Sequence, residues 1–177
     1  ILFAFYAMFK ALKKPYWINV FFMAVAFGIL TKGVLSIIPI LIFVAMSFFH
    51  KSFRLLIFNW NFALGMLLLV LISTPWFLLE YQAYGASYLS EFIGRQTIER
   101  VATSLEGHRG NYFYYLDIIS FRYFSVWSFL FLPALFFILW KYFRHRTQSL
   151  FFLNILLWGG FLFFSVVVQT KLPWYIY

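Results

Sequence analysis

All carboxylates of this chain lie in one stretch of its sequence, and this feature most constrains the fold. Of the 177 residues, only Glu80, Glu91, Glu99, Glu106 and Asp117 are acidic. Apolar runs that are too long for ordinary core strands flank the stretch on both sides. A soluble protein distributes its carboxylates over its whole surface, so their confinement indicates that most of the remaining chain lies in lipid. We therefore predict a large extramembrane loop at Pro75–Asp117, entered through Trp76 and Phe77.

The overall composition agrees with this interpretation. The chain is 64% hydrophobic and only 11% charged, with a mean hydropathy of +0.88, whereas about 25% of the residues in a soluble domain are charged. Its apolar runs are continuous rather than alternating, which favours helices over a β-barrel. The net charge of +9 lies in short clusters between apolar runs, a pattern typical of membrane loops rather than of nucleic-acid binding. We predict an all-α, polytopic helical membrane protein.

The apolar runs predict about five to six transmembrane segments with one long extracytoplasmic loop that carries a surface helix. The runs are Ile1–Phe9, Trp17–Leu30, Val34–Phe49, Leu55–Phe77, Phe124–Trp140 and Leu150–Val168. The second and third runs are shorter than the roughly 20 residues of a straight span, so we expect them to form a tight hairpin that turns at Gly33.

The predicted organisation is a single transmembrane domain, residues 1–177. Residues 1–77 would hold helices, 78–117 the extracytoplasmic loop, 118–170 further helices and 171–177 the start of the next external segment. The chain opens inside an apolar run and stops within what resembles a motif. We therefore expect it to be an internal fragment of a longer protein.

The distribution of basic residues predicts the orientation. Eight lie in three short loops: Lys10, Lys13, Lys14, Lys51, Arg54, Lys141, Arg144 and Arg146. Six others are spread over the opposite side among the carboxylates: Lys32, Arg95, Arg100, Arg109, Arg122 and Lys171. The dense side is expected to be cytoplasmic. The long loop, Thr31–Gly33 and Gln169–Tyr177 would then face outward together.

Within the loop, Ser87–Leu105 contains no proline and a single glycine. Glu91, Arg95 and Glu99 are spaced at i, i+4 and i+8, so they fall on one face of a helix. Apolar residues supply another face. We predict a helix that lies along the membrane surface.

Several outward-facing residues are candidates for binding, each with a simpler alternative. Lys32 and Lys171 stand alone beside apolar segments, where a cation either binds an anion or extends its side chain to the headgroups. The loop arginines either bind a ligand or pair with the neighbouring glutamates. Tyr112–Tyr115 and Trp174-Tyr175 form either a binding surface or an aromatic belt. Cations and aromatics that meet on one face would suit a phosphorylated lipid or an anionic leaving group.

Three segments together resemble membrane glycosyltransferases of the GT-C fold, especially aminoarabinose transferases and protein O-mannosyltransferases. Gly28–Gly33 resembles the G-x-x-T-K-G signature of that family. The order of Phe92 to Arg100, His108 and Tyr112–Tyr115 is similar to its loop pattern of an aromatic, an arginine, a His-led turn and a tyrosine pair. Thr170–Tyr175 resembles its K-x-P-x-Y segment.

The resemblance implies transfer of a glycosyl group from a polyprenyl-phosphate-linked sugar to a lipid or protein acceptor, on the outer face of a bacterial inner membrane. The residues implied to bind the donor phosphate are Lys32, Arg100, His108 and Lys171. Those implied to line the substrate are Arg95, Tyr114, Tyr115 and Tyr175. The catalytic carboxylate loop of the family would lie upstream of Ile1. The fragment is then expected to contain no catalytic residue and to be inactive alone.

The resemblance also implies a divalent metal, but one residue departs from the family pattern. Thr97 occupies the position at which aminoarabinose transferases carry a metal-associated histidine, so the sequence leaves the metal open. No nucleic-acid partner is expected.

Two functions of other classes fit the same residues. A transporter or flippase of a lipid-linked precursor would also place cations and aromatics outside, with broken helices and ionisable residues in mid-membrane. A non-catalytic membrane subunit would use the outer loop to bind a partner protein.

Overall fold

A computed structural model describes residues 1–99, 102–103, 110–118 and 128–171 of the chain. These residues form helices joined by turns, with no β-strand among them. The prediction of an all-α protein is confirmed for this part of the chain. The helices belong to two units, Ile1–Tyr88 and Leu89–Tyr177.

The first unit contains five helices in the order of the sequence. They are α1 (Leu2–Ala11), α2 (Trp17–Lys32), α3 (Ile38–Phe49), α4 (Lys51–Ile57) and α5 (Trp60–Tyr84). A 3₁₀ turn, Gly33–Ile37, joins α2 to α3. Gly33 ends α2 with a φ of 65°, a left-handed backbone that residues with a Cβ rarely adopt. The predicted turn at Gly33 is confirmed.

Aromatic rings form the centre of this unit. The ring of Phe43 lies 5.7 Å from that of Phe21 and 5.8 Å from that of Phe62. Helix α2 approaches α5 closely at Gly65, where an added Cβ would lie only 2.4 Å from the Phe22 ring. Small residues permit such close approach of membrane helices. Beside it, Asn19 Nδ2 donates a hydrogen bond of 3.1 Å to Asn61 Oδ1 and links the same two helices.

The predicted span Leu55–Phe77 is wrong at both ends. The chain breaks after α4, and Asn59 caps α5 by accepting a hydrogen bond of 3.0 Å from the backbone N–H of Asn61. Helix α5 then continues through Pro75, because a proline removes only one backbone donor and neighbouring turns can hold the helix. It ends at Gly85, whose φ is 61°. Residues 78–84, which the sequence assigned to the loop, are therefore helical.

Helices α3 and α4 form a sharply bent pair. Their axes differ by 118° across a break at His50. Arg54 on α4 bonds back to α3, with Nε 3.1 Å from the Ser47 carbonyl oxygen and Nη2 2.6 Å from that of Phe48. The guanidinium thus satisfies carbonyl groups that the end of α3 leaves without an intrahelical donor.

Among the described residues, five further helices follow α5, and the one at Ser90–Glu99 has π-helical hydrogen bonding. They are α6 (Ala86–Leu89), α7 (Ser90–Glu99), α8 (Tyr114–Asp117), α9 (Ser128–His145) and α10 (Gln148–Val167). The helix predicted at Ser87–Leu105 corresponds to α6 and α7 as far as Glu99, and residues 100–101 and 104–105 lie outside the described ranges. The first four residues of the predicted span Phe124–Trp140 also lie outside them.

Helices α9 and α10 form a hairpin joined by hydrogen bonds between them. Asn154 Nδ2 on α10 donates 3.3 Å to the Ile138 carbonyl oxygen of α9, and Trp158 Nε1 donates 3.3 Å to that of Leu135. The π-helical turns Ile155–Gly159 and Phe163–Val167 interrupt the regular pitch of α10. The predicted span Leu150–Val168 is confirmed as a helix with nearly the same bounds.

Two of the described helices, α5 and α10, are long and apolar enough to cross a membrane. The number rises to three if the bent pair α3–α4 counts as one span. At 25 and 20 residues, α5 and α10 are roughly 38 Å and 30 Å long, which matches or exceeds a bilayer core of about 30 Å. Helices α1 and α2 are apolar but shorter. The chain thus has the features of a membrane protein, while five to six spans stay a prediction.

Candidate functional site

Lys171, just past the end of α10, is buried with its ammonium group inside a cage of backbone carbonyls. Only 3% of the residue is exposed. Its Nζ donates hydrogen bonds of 2.7, 2.7 and 2.6 Å to the carbonyl oxygens of Phe164, Ser165 and Val168. The last carbonyls of a helix have no intrahelical donor. A lysine ammonium has three protons, so Lys171 uses all of them to cap α10.

Residues 110–115, which lead into α8, also contact Lys171. The ring of Tyr115, which is fully buried, has its centre 5.8 Å from Lys171 Nζ, a distance suited to a cation–π contact. Gly110 touches the same lysine, because an added Cβ would lie 2.9 Å from Lys171 Cγ and 2.7 Å from Tyr114 Cδ2. Only a glycine fits here without a shift of its neighbours. The loop and the end of α10 are therefore packed together.

A hydrogen bond fixes the same two segments. Thr170, which is 2% exposed, donates from Oγ1 to the carbonyl oxygen of Thr103 over 2.8 Å. Inside the cluster, the buried hydroxyl of Ser165 has no hydrogen-bond partner among the described residues. We call Thr103, Gly110, Tyr115, Thr170 and Lys171 the lysine cage.

Two effects act in opposite directions on the protonation of Lys171. Burial lowers the pKa of its ammonium group from the ordinary value of a lysine, because desolvation penalises the charged form. The three carbonyl acceptors favour the charged form, since only an ammonium can donate to all of them. These acceptors lie 2.6 to 2.7 Å from the Lys171 Nζ. The cage therefore places the Lys171 ammonium at the end of α10, where its hydrogen bonds oppose the effect of burial.

The other predicted substrate-lining residues that are described have different surroundings. Tyr114 packs edge to face against Tyr115, with 5.2 Å between ring centres, and therefore lies beside the cage. Arg95 lies on α7 with about half of its side chain exposed, and its Nη1 is 3.7 Å from Glu91 Oε1. This is the helical pairing that the spacing predicts, and such an exposed ion pair contributes little stability.

Lys32 lies in the first unit at the last residue of α2, where it is exposed. A cation at a helix C-terminus interacts favourably with the helix dipole. The neighbouring Thr31 hydroxyl donates to the carbonyl oxygens of Phe27 and Gly28, at 3.1 and 3.0 Å. Gly28 in turn contacts Ser36, which an added Cβ would approach to 2.9 Å. The G-x-x-T-K-G segment thus forms a tight end of α2 that presents the lysine to the surface.

Three predicted site residues, Arg100, His108 and Tyr175, lie outside the described ranges. Their roles stay predictions. Among residues 1–99, 102–103, 110–118 and 128–171, no group of three or more histidines and carboxylates could hold a metal ion. Glu106 and His108 fall in a gap of these ranges, and a metal stays a prediction of the resemblance.

The basic residues at the end of α9, which the sequence pattern used only to predict the membrane orientation, each contact an aromatic ring in the structure. At the end of α9 and just past it, Lys141, Arg144 and Arg146 each lie over an aromatic ring four residues earlier in the chain. The signal is present in the sequence, because residues at i and i+4 are neighbours on a helix.

Comparisons with protein-family models, with curated proteins and with solved structures found no match to this chain.

Proposed function

We propose that this chain is part of a membrane glycosyltransferase of the GT-C fold, with five to six spans, that takes a sugar from a polyprenyl-phosphate carrier. It would transfer the sugar to a lipid or protein acceptor on the outer face of a bacterial inner membrane. Breaking a sugar–phosphate bond leaves an anionic lipid phosphate. Cations fixed where that charge develops stabilise the transition state.

One observation supports the proposal most. Two of the three segments that carry the resemblance, the loop ending in Tyr114-Tyr115 and the Thr170-Lys171 segment, pack against each other in the lysine cage. The third segment ends in an exposed lysine, Lys32, that is available to a ligand. In this proposal Lys32, Arg100 and His108 contact the donor phosphate. Lys171, whose three donors are bonded to carbonyl groups, contributes its charge without donating to the phosphate and keeps Tyr114 and Tyr115 in place.

The test is the transfer rate of the complete gene product in membrane vesicles supplied with a polyprenyl-phosphate sugar. Lys32→Ala should reduce the rate by about a hundredfold, the loss typical of removing one transition-state donor. Arg100→Lys should also be harmful, because an ammonium lacks the bidentate geometry of a guanidinium. Lys14→Ala, which removes the same charge from the opposite predicted face, is the control at matched abundance. Equal rates for Lys32→Ala and Lys14→Ala would refute the proposal.

A transporter or flippase of a lipid-linked precursor is favoured by a different observation, the 118° bend between α3 and α4. Broken helices in transporters expose backbone groups to the substrate path. Here Arg54 already occupies carbonyl groups at the end of α3. Uptake of labelled carrier lipid into vesicles without sugar release would favour this function over transfer.

A further inference from the structure

Three basic side chains at the end of α9 form a row in which each cation is stacked on an aromatic ring. Lys141 lies over Phe137 at 5.8 Å, Arg144 over Trp140 at 5.9 Å, and Arg146 over both Tyr142 at 5.7 Å and Phe143 at 5.6 Å. We call Lys141, Arg144 and Arg146 the basic corner. All three are exposed. The ring contacts hold each cation near the surface, where the side chain stays exposed to solvent.

These cations have no acceptor within the described part of the chain. Residues 128–171 contain no aspartate or glutamate, and neither an ion pair nor a hydrogen bond from these side chains is formed with a described residue. Arg54 and Lys171 behave differently, because both use their donors on carbonyl groups at a helix end. A lysine has three N–H donors and an arginine five. The basic corner therefore offers a dense set of unused donors.

Arg146 has a backbone conformation that is uncommon for a residue with a Cβ. Its φ is 51°, the only positive value at a described residue other than glycine. Its N–H donates 2.7 Å to the Tyr142 carbonyl oxygen, which is the helix-ending geometry that usually carries glycine. An arginine is strained in this conformation, and such strain is concentrated at functional positions. Glycine would end α9 equally well, so backbone geometry does not account for an arginine here.

The basic corner packs against α10 through Tyr142 and lies next to exposed aromatic rings. The Tyr142 ring packs on Phe151 of α10, with 5.4 Å between their centres, at the end of the hydrogen-bonded hairpin. Trp140 and Phe143 are 57% and 61% exposed. Tryptophan is enriched at the level of the lipid headgroups in membrane proteins, and Trp140 has that character.

We propose that the basic corner binds the headgroup phosphate of an anionic phospholipid. Two guanidinium groups match the geometry of phosphate oxygens, and three cations exceed the charge of one headgroup. The exposed rings of Trp140 and Phe143 would contact the adjoining acyl chains. A free phosphate would gain nothing from those rings, which favours the lipid as the occupant. This site is separate from the lysine cage and does not depend on the glycosyltransferase proposal.

The test uses the chain in lipid nanodiscs with one cysteine introduced as Ser149→Cys. The native chain contains no cysteine, and Ser149 is exposed beside the corner. A fluorophore on this cysteine reports quenching by a nitroxide-labelled phosphatidylglycerol or by the matched labelled phosphatidylcholine. The anionic lipid should quench more strongly at equal mole fraction. Arg146→Gly should lower that preference by about fivefold, the effect of one cation near an anionic leaflet.

Arg146→Gly removes the cation and is expected to leave the fold of the α9–α10 hairpin unchanged. Glycine accepts the backbone of residue 146 without strain, so a loss of preference cannot be attributed to a misfolded hairpin. Lys13→Gln is the control for a change of net charge at another predicted cytoplasmic loop. An equal loss of preference in Lys13→Gln, or no loss in Arg146→Gly, would overturn the site. Abolition of the preference by inorganic phosphate at the same molar concentration would assign the corner to a free anion instead.

Discussion

Replacing Lys171 by methionine separates a structural role of this lysine from a role in binding phosphate. Methionine keeps most of the length of the side chain and removes the ammonium. The carbonyl groups of Phe164, Ser165 and Val168 then lose the donor that lies 2.6 to 2.7 Å from them. The contact with the Tyr115 ring loses its charge. The expected consequence is that α10 frays at its end and the loop before α8 detaches.

The size of the effect follows from the three bonds. A hydrogen bond to a charged group contributes about 1.5–3 kcal/mol, and a buried acceptor left without a donor costs about 1–3 kcal/mol. Removal of the ammonium also removes the cost of burying it, which offsets part of the loss. We expect a net decrease of about 3 kcal/mol in the free energy of unfolding. For a chain of this size that corresponds to a decrease in Tm of about 6–12 °C.

The assay is thermal unfolding of the purified chain in detergent, followed by amide exchange. Lys141→Met is the matched control, because this exposed lysine lies over the ring of Phe137 and forms no ion pair or hydrogen bond with a residue that the structure describes. Its loss should cost less than about 1 kcal/mol. Exchange at residues 110–118 should accelerate in Lys171→Met and stay unchanged in Lys141→Met. Equal Tm values for the two variants would refute the structural role. If the same substitution in the complete gene product reduced sugar transfer at unchanged Tm, Lys171 would instead act in binding the phosphate.

Two further predictions concern packing and topology. Gly65→Ala should lower the free energy of unfolding by about 1–3 kcal/mol, because its Cβ would lie 2.4 Å from the Phe22 ring. Gly94→Ala is the control and should not lower it, because an added Cβ there has nothing within 4 Å. Equal Tm values for the two variants would contradict the packing of α2 on α5. A cysteine at Glu106 should be labelled by a membrane-impermeant reagent from outside the cell, while one at Lys13 or Arg144 should not, and the reverse pattern would invalidate the predicted orientation.

The broad class of the protein follows from the sequence, since composition and the length of apolar runs respond directly to the solvent. Backbone groups in lipid must be satisfied within each segment, so long apolar runs become helices whatever their neighbours. The same local logic predicts the turn at Gly33 and the helical pairing of Glu91 with Arg95. Each depends on residues a few positions apart.

The bounds of α4 and α5 illustrate what local logic misses. Residues 55–77 have no charge and therefore resemble one span, yet the chain breaks at Asn59. The side chain of Asn59 caps α5, and Asn61 is bonded to Asn19 of α2. The bond to Asn19 depends on a residue that is distant in the sequence. At Pro75 the sequence predicts that the helix ends, but α5 continues through this residue. Neighbouring turns of a membrane helix can satisfy the backbone groups that a proline leaves free.

The contacts of the lysine cage could be identified only from the tertiary structure. The sequence identifies Lys171 as an unusual cation, and a resemblance relates it to a phosphate. Only the packing of Gly110 and Tyr115 against it, together with the bond from Thr170 to Thr103, shows where its charge is held. The hydrophobic pattern of a segment predicts how much of its surface is removed from water. The partner that a buried charge finds depends on which distant backbone groups lack a donor, and the folded chain determines that.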